Sequence, residues 1–141
     1  MNKELISFAE TAALSAGKII LGSTNNIKVD FKGKTDLITN IDLESERSII
    51  DKIIKSHPSH NILSEEHGLI NNNSDYLWVI DPLDGTTNFV HGYPSYGVSI
   101  GLVYKNKPEI GVVLELPSKN LYSAQKGYGT FKNGKKINVS K

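Results

Sequence analysis

A chain of 141 residues with 38% hydrophobic content is long enough to bury one core and leaves little room for a second full domain. Its formal charge of +1 sets up no single-sign field to draw it onto nucleic acid or an acidic membrane surface. With no cysteine, disulfides, zinc-thiolate sites and thiol nucleophiles are excluded, a reducing compartment fits, and any metal chemistry must use oxygen or histidine ligands.

In chain order, Leu5, Ala9, Ala12, Ala13, Ala16, Ile19 and Ile20 recur at helical spacing and predict an amphipathic helix over residues 2–22. Its alanine stripe implies close packing on a sheet. Glu4 and Glu10 interrupt the apolar run, so the segment reads as neither a signal core nor a membrane span, and the chain reads as soluble and cytoplasmic. A short strand over 27–31 leads into the polar loop Lys32-Gly33-Lys34-Thr35-Asp36. Leu43, Ile49, Ile50, Ile53 and Ile54 then mark a second helix from Asp42 to His57, ended by Pro58.

Asn61-Ile62-Leu63 is a brief strand, followed by Ser64-Glu65-Glu66-His67-Gly68 and a polar surface loop over 71–75. Leu77 to Ile80 is a continuous apolar run, as expected of a strand covered on both faces, and Pro82 is expected to stop its ladder. Over 95–104, Tyr96, Val98, Ile100, Leu102 and Tyr104 alternate with Ser95, Gly97, Ser99 and Gly101. Further strands follow over 110–116 and 120–125, and Asn133-Gly134 makes a two-residue hairpin turn between 130–132 and 135–137. Short turns at Asn106-Lys107-Pro108 and Pro117-Ser118-Lys119 favour an antiparallel meander. The predicted class is α+β: two N-terminal helices packed on a mainly antiparallel sheet.

The candidate chemistry sits in WVIDPLDGTTNF, residues 78–89. Asp81 and Asp84 repel unless a cation lies between or beside them, which in a cysteine-free chain favours a hard ion such as Mg2+. An Asp-Pro turn with a capping carboxylate is the competing reading. Glu65, at the end of another strand, can add an oxygen ligand, whereas Glu66 points the other way along an extended chain and reads as a solvated surface charge. Gly85 permits close approach of backbone to a ligand, and Thr86-Thr87-Asn88 suits a helix start whose N–H groups hold an anion such as phosphate. Thr39-x-x-Asp42 reads first as a helix cap. If Asp42 also accepted the Thr86 hydroxyl, that hydroxyl could orient or deprotonate a water. His57, His60, His67 and His91 lack the i, i+4 spacing of a helical metal pair and read as loop or surface residues, Gly127-Tyr128-Gly129 as a turn, and Lys34 and Asp36 as either a site-loop pair or a surface pair.

Three blocks in order, DLITNID over 36–42, ILSEE over 62–66 and DPLDGTTNF over 81–89, resemble the inositol monophosphatase family of Mg2+-dependent, lithium-sensitive phosphatases. Asp-Pro-x-Asp-Gly-Thr is shared with relatives acting on fructose 1,6-bisphosphate and 3'-phosphoadenosine phosphates, while the continuation through Pro94 is similar to the inositol monophosphatase branch. The resemblance implies the first domain of a layered α/β/α/β/α sugar-phosphatase fold with two or three Mg2+ ions. Glu65, Asp81 and the Leu83 carbonyl would hold the first ion, Asp81 and Asp84 the second, and Glu65 would reach a third. It further implies that Gly85 and Thr86 offer N–H groups to the phosphate, that Asp84 contacts the substrate, and that Asp42, Glu65 and Thr86 activate a water that hydrolyses a small polyol phosphate without a phosphoenzyme.

The family pattern is about twice as long, and its second half carries a Trp-Asp motif whose aspartate completes the second metal site. The sole tryptophan here is Trp78. Residues 1–141 therefore read as a single N-terminal metal- and phosphate-binding domain, a fragment or truncated product without the family's C-terminal domain. Its expected partners are a small-molecule phosphate ester and a homodimer mate or complementary C-terminal half, with no nucleic acid and no membrane. Two alternatives stand beside it: a non-catalytic remnant or subunit that binds metal or a partner chain, and a related phosphatase for fructose 1,6-bisphosphate or 3'-phosphoadenosine phosphate.

Overall fold

A computed structural model describes residues 2–23 and 25–141. Helix α1 (Lys3–Gly22) is capped by Asn2, whose side-chain oxygen accepts the Leu5 N–H at 3.2 Å. By length and a mean hydropathy of 1.4 it could cross a membrane, so Glu4 and Glu10 do not by themselves exclude a span. Its small-residue face is instead committed to protein: Ala9, Ala12, Ala13, Ala16 and Ile20 lie in the core. Gly17 sits so close to the sheet that a Cβ there would come within 2.4 Å of a Leu114 methyl. The alanine stripe thus does what its spacing predicts and lets helix and sheet approach closely.

Strands β1 (Val29–Lys32) and β2 (Asp36–Thr39) form a separate antiparallel hairpin, so the loop predicted over 32–36 shrinks to its middle three residues. Helix α2 (Asn40–Ser56) starts two residues earlier than predicted. Thr39 is its N-cap in a capping box, its hydroxyl accepting the Ile41 and Asp42 N–H groups while the Asp42 carboxylate accepts the Thr39 N–H. The buried stripe of α2 is apolar at Ile41, Ile49, Ile50 and Ile53 and polar at Asp42, Ser45 and Glu46.

The remaining elements are β3 (Asn61–Ser64), β4 (Gly68–Ile70), β5 (Tyr76–Asp84), α3 (Thr86–Val90), β6 (Tyr96–Tyr104), β7 (Lys107–Leu116), β8 (Asn120–Gln125), β9 (Gly129–Lys132) and β10 (Lys135–Ile137). Among the described residues, ten strands and three helices confirm the α+β class. The main sheet runs β10-β9-β8-β7-β6-β5-β3-β4, with β5 to β10 an antiparallel meander and β3 lying parallel to β5. Asn133 and Gly134 both take positive φ, 48° and 79°, as a twist-matched two-residue turn requires. The β6–β7 turn falls at Lys105 and Asn106 rather than one residue later, and Lys107 and Pro108 already belong to β7.

Two expectations for β5 are corrected. It alternates rather than being covered on both faces: Trp78 and Ile80 are buried under the helices, while Val79 is 38% exposed, as are Leu63 and Val113 at 41% and 47% on the same open face. The helices of this chain cover one side of the sheet, which is why the apolar run does not imply two covered faces. Nor does Pro82 stop the ladder. Asp81 pairs with Ser99 and Asp84 with Gly97, and a bulge absorbs Pro82 and Leu83 between them, so the missing proline N–H falls where no ladder bond is needed.

Candidate active site

The bulge sets the geometry. It carries Asp81, Leu83 and Asp84 around the end of β5, and Gly85 then takes a left-handed φ of 82° to launch α3. A side chain at Gly85 would meet the Ser95 carbonyl at 2.9 Å, so the chain keeps both the conformation and the close approach of a glycine. Beside it opens a cavity of about 340 Å³ lined by Lys32, Asp36, Glu65, Asp81, Leu83, Asp84, Gly85 and Thr86, among others. Every residue predicted for metal or phosphate lines it. Asp42 does not line it, and reaches it through Thr86.

Asp81 is the electrostatic centre. Burial raises its carboxyl from the usual range to about 7; the neighbouring Glu65 carboxyl, near enough to share a proton, and the Asp84 charge push the same way, and the Leu83 backbone opposes them. Its Oδ1 is buried without a hydrogen-bond partner. Among the described residues no group of three or more acidic or histidine side chains is gathered into a ready metal cage. The Lys32 ammonium stands 3.6 Å from Glu65 and 2.6 Å from Glu66 as countercharge. An orphaned buried carboxylate oxygen, further carboxylates within reach and an all-oxygen donor set fit a hard divalent cation.

The contact on which Asp42 depended is present. Thr86 Oγ1 donates toward Asp42 Oδ1 at 2.9 Å, with the Leu83 carbonyl as a second acceptor at 3.1 Å. The other Asp42 oxygen accepts the Thr39 N–H at 2.9 Å and the Thr39 hydroxyl at 2.5 Å. Capping and positioning are therefore not alternatives, since one carboxylate does both from a fully buried position.

Several residues differ from their predicted roles. The Glu66 side chain is 7% exposed and paired with Lys32, not a solvated surface charge; the turn after β3 folds it inward. Lys32, not Lys34, reaches the glutamates, and Asp36 joins it in the cavity lining. His57 and His60 are not plain surface residues: their rings stack at 4.8 Å, His60 stacks on Tyr76 at 4.6 Å and accepts the Trp78 indole N–H at 3.0 Å. His91 stays exposed, its Nδ1 2.8 Å from the Thr87 carbonyl. Gly127 and Gly129 take positive φ beside a turn, as read. Ser45 and Glu46 went unassigned in the sequence, although two polar residues on the apolar stripe of an amphipathic helix are a legible signal.

Comparison with known proteins agrees with this geometry. The pattern described as the Inositol monophosphatase family matches residues 1–141. The chain is 41% identical to phosphatase IMPL1, chloroplastic, of Arabidopsis thaliana over 97% of its own length and 39% of that protein's. It is 39% identical to inositol monophosphatase 1 of Bos taurus over 98% of its length and 52% of the bovine chain. Among solved structures, the extragenic suppressor protein suhB from Bartonella henselae superposes with a TM-score of 0.91 at 34% identity, over 96% of this chain and 54% of that one. The chain thus spans about half the length of the relatives it matches.

Proposed function

The chain belongs to the inositol monophosphatase family, and from that premise we propose that it carries the metal- and phosphate-binding half of a Mg2+-dependent phosphomonoesterase acting on a small polyol phosphate, inositol monophosphate first. The observation that carries this reading is the junction of two features in one cavity: Asp81 with its unpartnered oxygen beside Glu65, and the Asp42–Thr86 hydrogen bond. In this reading Glu65, Asp81, Asp84 and the Leu83 carbonyl would hold two or three Mg2+ ions. When bound, Mg2+ supplies Lewis-acid stabilisation of phosphoryl charge and a nucleophilic water at neutral pH. Thr86 has a single hydroxyl proton; donating it to Asp42 leaves its lone pairs to accept from that water and orient it toward phosphorus. Glu65 is the second proton acceptor beside the water. The left-handed turn at Gly85 swings the chain into α3, so that the backbone N–H groups opening that helix and the Asp84 side chain can meet the ester. A cytoplasmic location accords with α1 serving as a core helix.

Phosphate release from inositol 1-phosphate, with Mg2+ and with chelator, tests the proposal. Residues 1–141 alone are expected to turn over weakly, because the family pattern supplies a further carboxylate to the second ion from its other half. Asp81→Asn should reduce that release by about 100-fold or more; equal rates in variant and parent would sink the metal assignment. Release from fructose 1,6-bisphosphate in the same assay separates the related phosphatase reading. One observation favours a second reading, a subunit completed by another chain or half: Leu63, Val79 and Val113 stand exposed on one face of the main sheet. If the chain binds metal yet releases no phosphate, and gains activity on adding the C-terminal half of a relative, that second reading replaces the first.

A further inference from the structure

We propose that Glu46 is a positioning residue for Glu65: through the turn after β3 it fixes where the Glu65 carboxylate stands, and so how tightly the cavity takes a divalent cation. This deepens the reading above and rests on it. Glu46 is 5% exposed on the stripe of α2 that faces the sheet. A carboxylate there is costly unless its oxygens are satisfied. Its Oε2 accepts the Ser64 hydroxyl at 2.6 Å, the Glu66 N–H at 2.9 Å and the His67 N–H at 3.1 Å. These donors bracket Glu65 on both sides. The Glu65 N–H itself is bonded to the Ile80 carbonyl of β5 at 3.2 Å, so the backbone at residue 65 is tied to β5 on one side and to α2 on the other.

Glu46 is one of three polar residues on that stripe, at the i, i+3, i+4 spacing that shares a helix face. Asp42 accepts the Thr86 hydroxyl at the start of α3. Ser45 Oγ donates to the Pro82 carbonyl in the bulge at 2.6 Å. Glu46 takes the turn that carries Glu65. One rigid helix therefore indexes three chain segments that the main chain brings together from far apart: the Asp42 bond ends on the Thr86 hydroxyl itself, and those of Ser45 and Glu46 on the backbone and Ser64 hydroxyl that aim site groups. Residues that orient ligands in this way are worth about 10- to 100-fold in metal affinity.

The test uses the whole chain, with Mn2+ as the probe by titration calorimetry and backbone amide exchange by NMR at Glu66 and His67. Glu46→Ala is expected to lose protection at both amides and to bind Mn2+ about 10- to 100-fold more weakly. Glu46→Gln, whose amide oxygen can still accept both N–H groups, is expected to keep the protection and to bind within a few-fold of the parent. Glu46→Asp, charged but one methylene short, covers the case in which the alanine variant does not fold; it should lie with the alanine variant in affinity. Parent-like Mn2+ affinity in folded Glu46→Ala or Glu46→Asp overturns the proposal. So does Glu46→Gln falling as far as alanine with its amides still protected, since charge rather than placement would then matter. If the parent binds Mn2+ no better than Asp81→Asn, the metal reading itself has failed. The exchange data still show in that case whether Glu46 holds the turn.

Discussion

Strand β5 has two ends with opposite electrostatics. At the Tyr76 end, aromatic and imidazole rings absorb one another: Tyr76 stacks on His60 and lies 4.6 Å from Tyr104, Phe8 packs on His57 at 4.9 Å and on Trp78 at 5.4 Å, and the buried indole N–H finds His60. His57 Nδ1 is buried without a hydrogen-bond partner at that end, as is Gln125 Oε1 in the cavity beside Tyr76. At the other end, Asp81 keeps a buried oxygen without a partner and a carboxyl pushed to about 7 among its own kind. Nine residues of one strand thus run from a region of stacked rings, where the indole N–H is met from within, to one that gathers carboxylates around a cavity. Stability and function are segregated along a single strand, and the contrast can be tested by perturbing each end.

The largest expected effect lies at the aromatic end. Trp78 is fully buried, and Trp78→Ala should lower stability by about 3–5 kcal/mol in a urea titration; a loss under 1 kcal/mol would mean that this end is not the anchor. At the other end the largest effect is on turnover. Thr86→Ala should cut kcat by about 10²- to 10⁴-fold and cost about 1–3 kcal/mol through the buried Asp42 oxygen it leaves unpaired, less than the Trp78 loss, and Thr86→Ser should recover most of both. An equal loss of stability in Thr86→Ala would erase the contrast between the ends. Next comes a change of opposite sign: with chelator present, Asp81→Asn should stabilise the fold, by up to about 1 kcal/mol after allowing for solvent screening of a half-buried group. Destabilisation would show that the Asp81 charge is already compensated.

The smallest effect is a pH dependence at the aromatic end. Burial, and then the neighbouring His57, hold His60 below its usual 6.5. The unfolded chain therefore takes up a proton near 6.5 that the folded chain still refuses, so stability is constant above that pH and declines as the pH falls from 6.5 toward the lowered folded value. Protonation would also place a proton on the nitrogen that accepts the Trp78 N–H. The emission of this sole tryptophan should shift at the low-pH edge of that window, as the folded His60 protonates, and His60→Gln should flatten both curves. Identical slopes in parent and variant would remove His60 as the cause.

Much of the fold was legible because its signals are local. The alanine stripe of α1, the alternation of β6 to β8 and the Asn133-Gly134 turn each depend on residues a few positions apart, and each was read nearly to its boundaries. What escaped depends on distant partners. Residues 36–39 and 68–70 are strands by virtue of the strand each lies against, and three or four residues of mixed polarity carry no period of their own. Pro82 looked like a stop because proline is one wherever its N–H is needed, and the bulge removes that need. In the site, Asp81, Asp84, Gly85 and Thr86 could be read from one dozen-residue stretch. Glu66 was misread because the countercharge that draws it inward, Lys32, comes from a hairpin 34 residues away.

The docking of α2 against β5 has a consequence for the order in which the molecule comes together. Strands β6 to β10 are joined by short turns and can zip up from local encounters, whereas β5 reaches β6 across α3, β3 reaches β5 across β4, and α2 must dock from still farther back. Closing such loops costs chain entropy before any contact repays it, so nonlocal pairings form late. The Asp42 carboxylate, 44 residues from the Thr86 hydroxyl it accepts, is therefore the site group that arrives last. Competence for binding should appear in the final kinetic phase of refolding, after most of the sheet signal has returned.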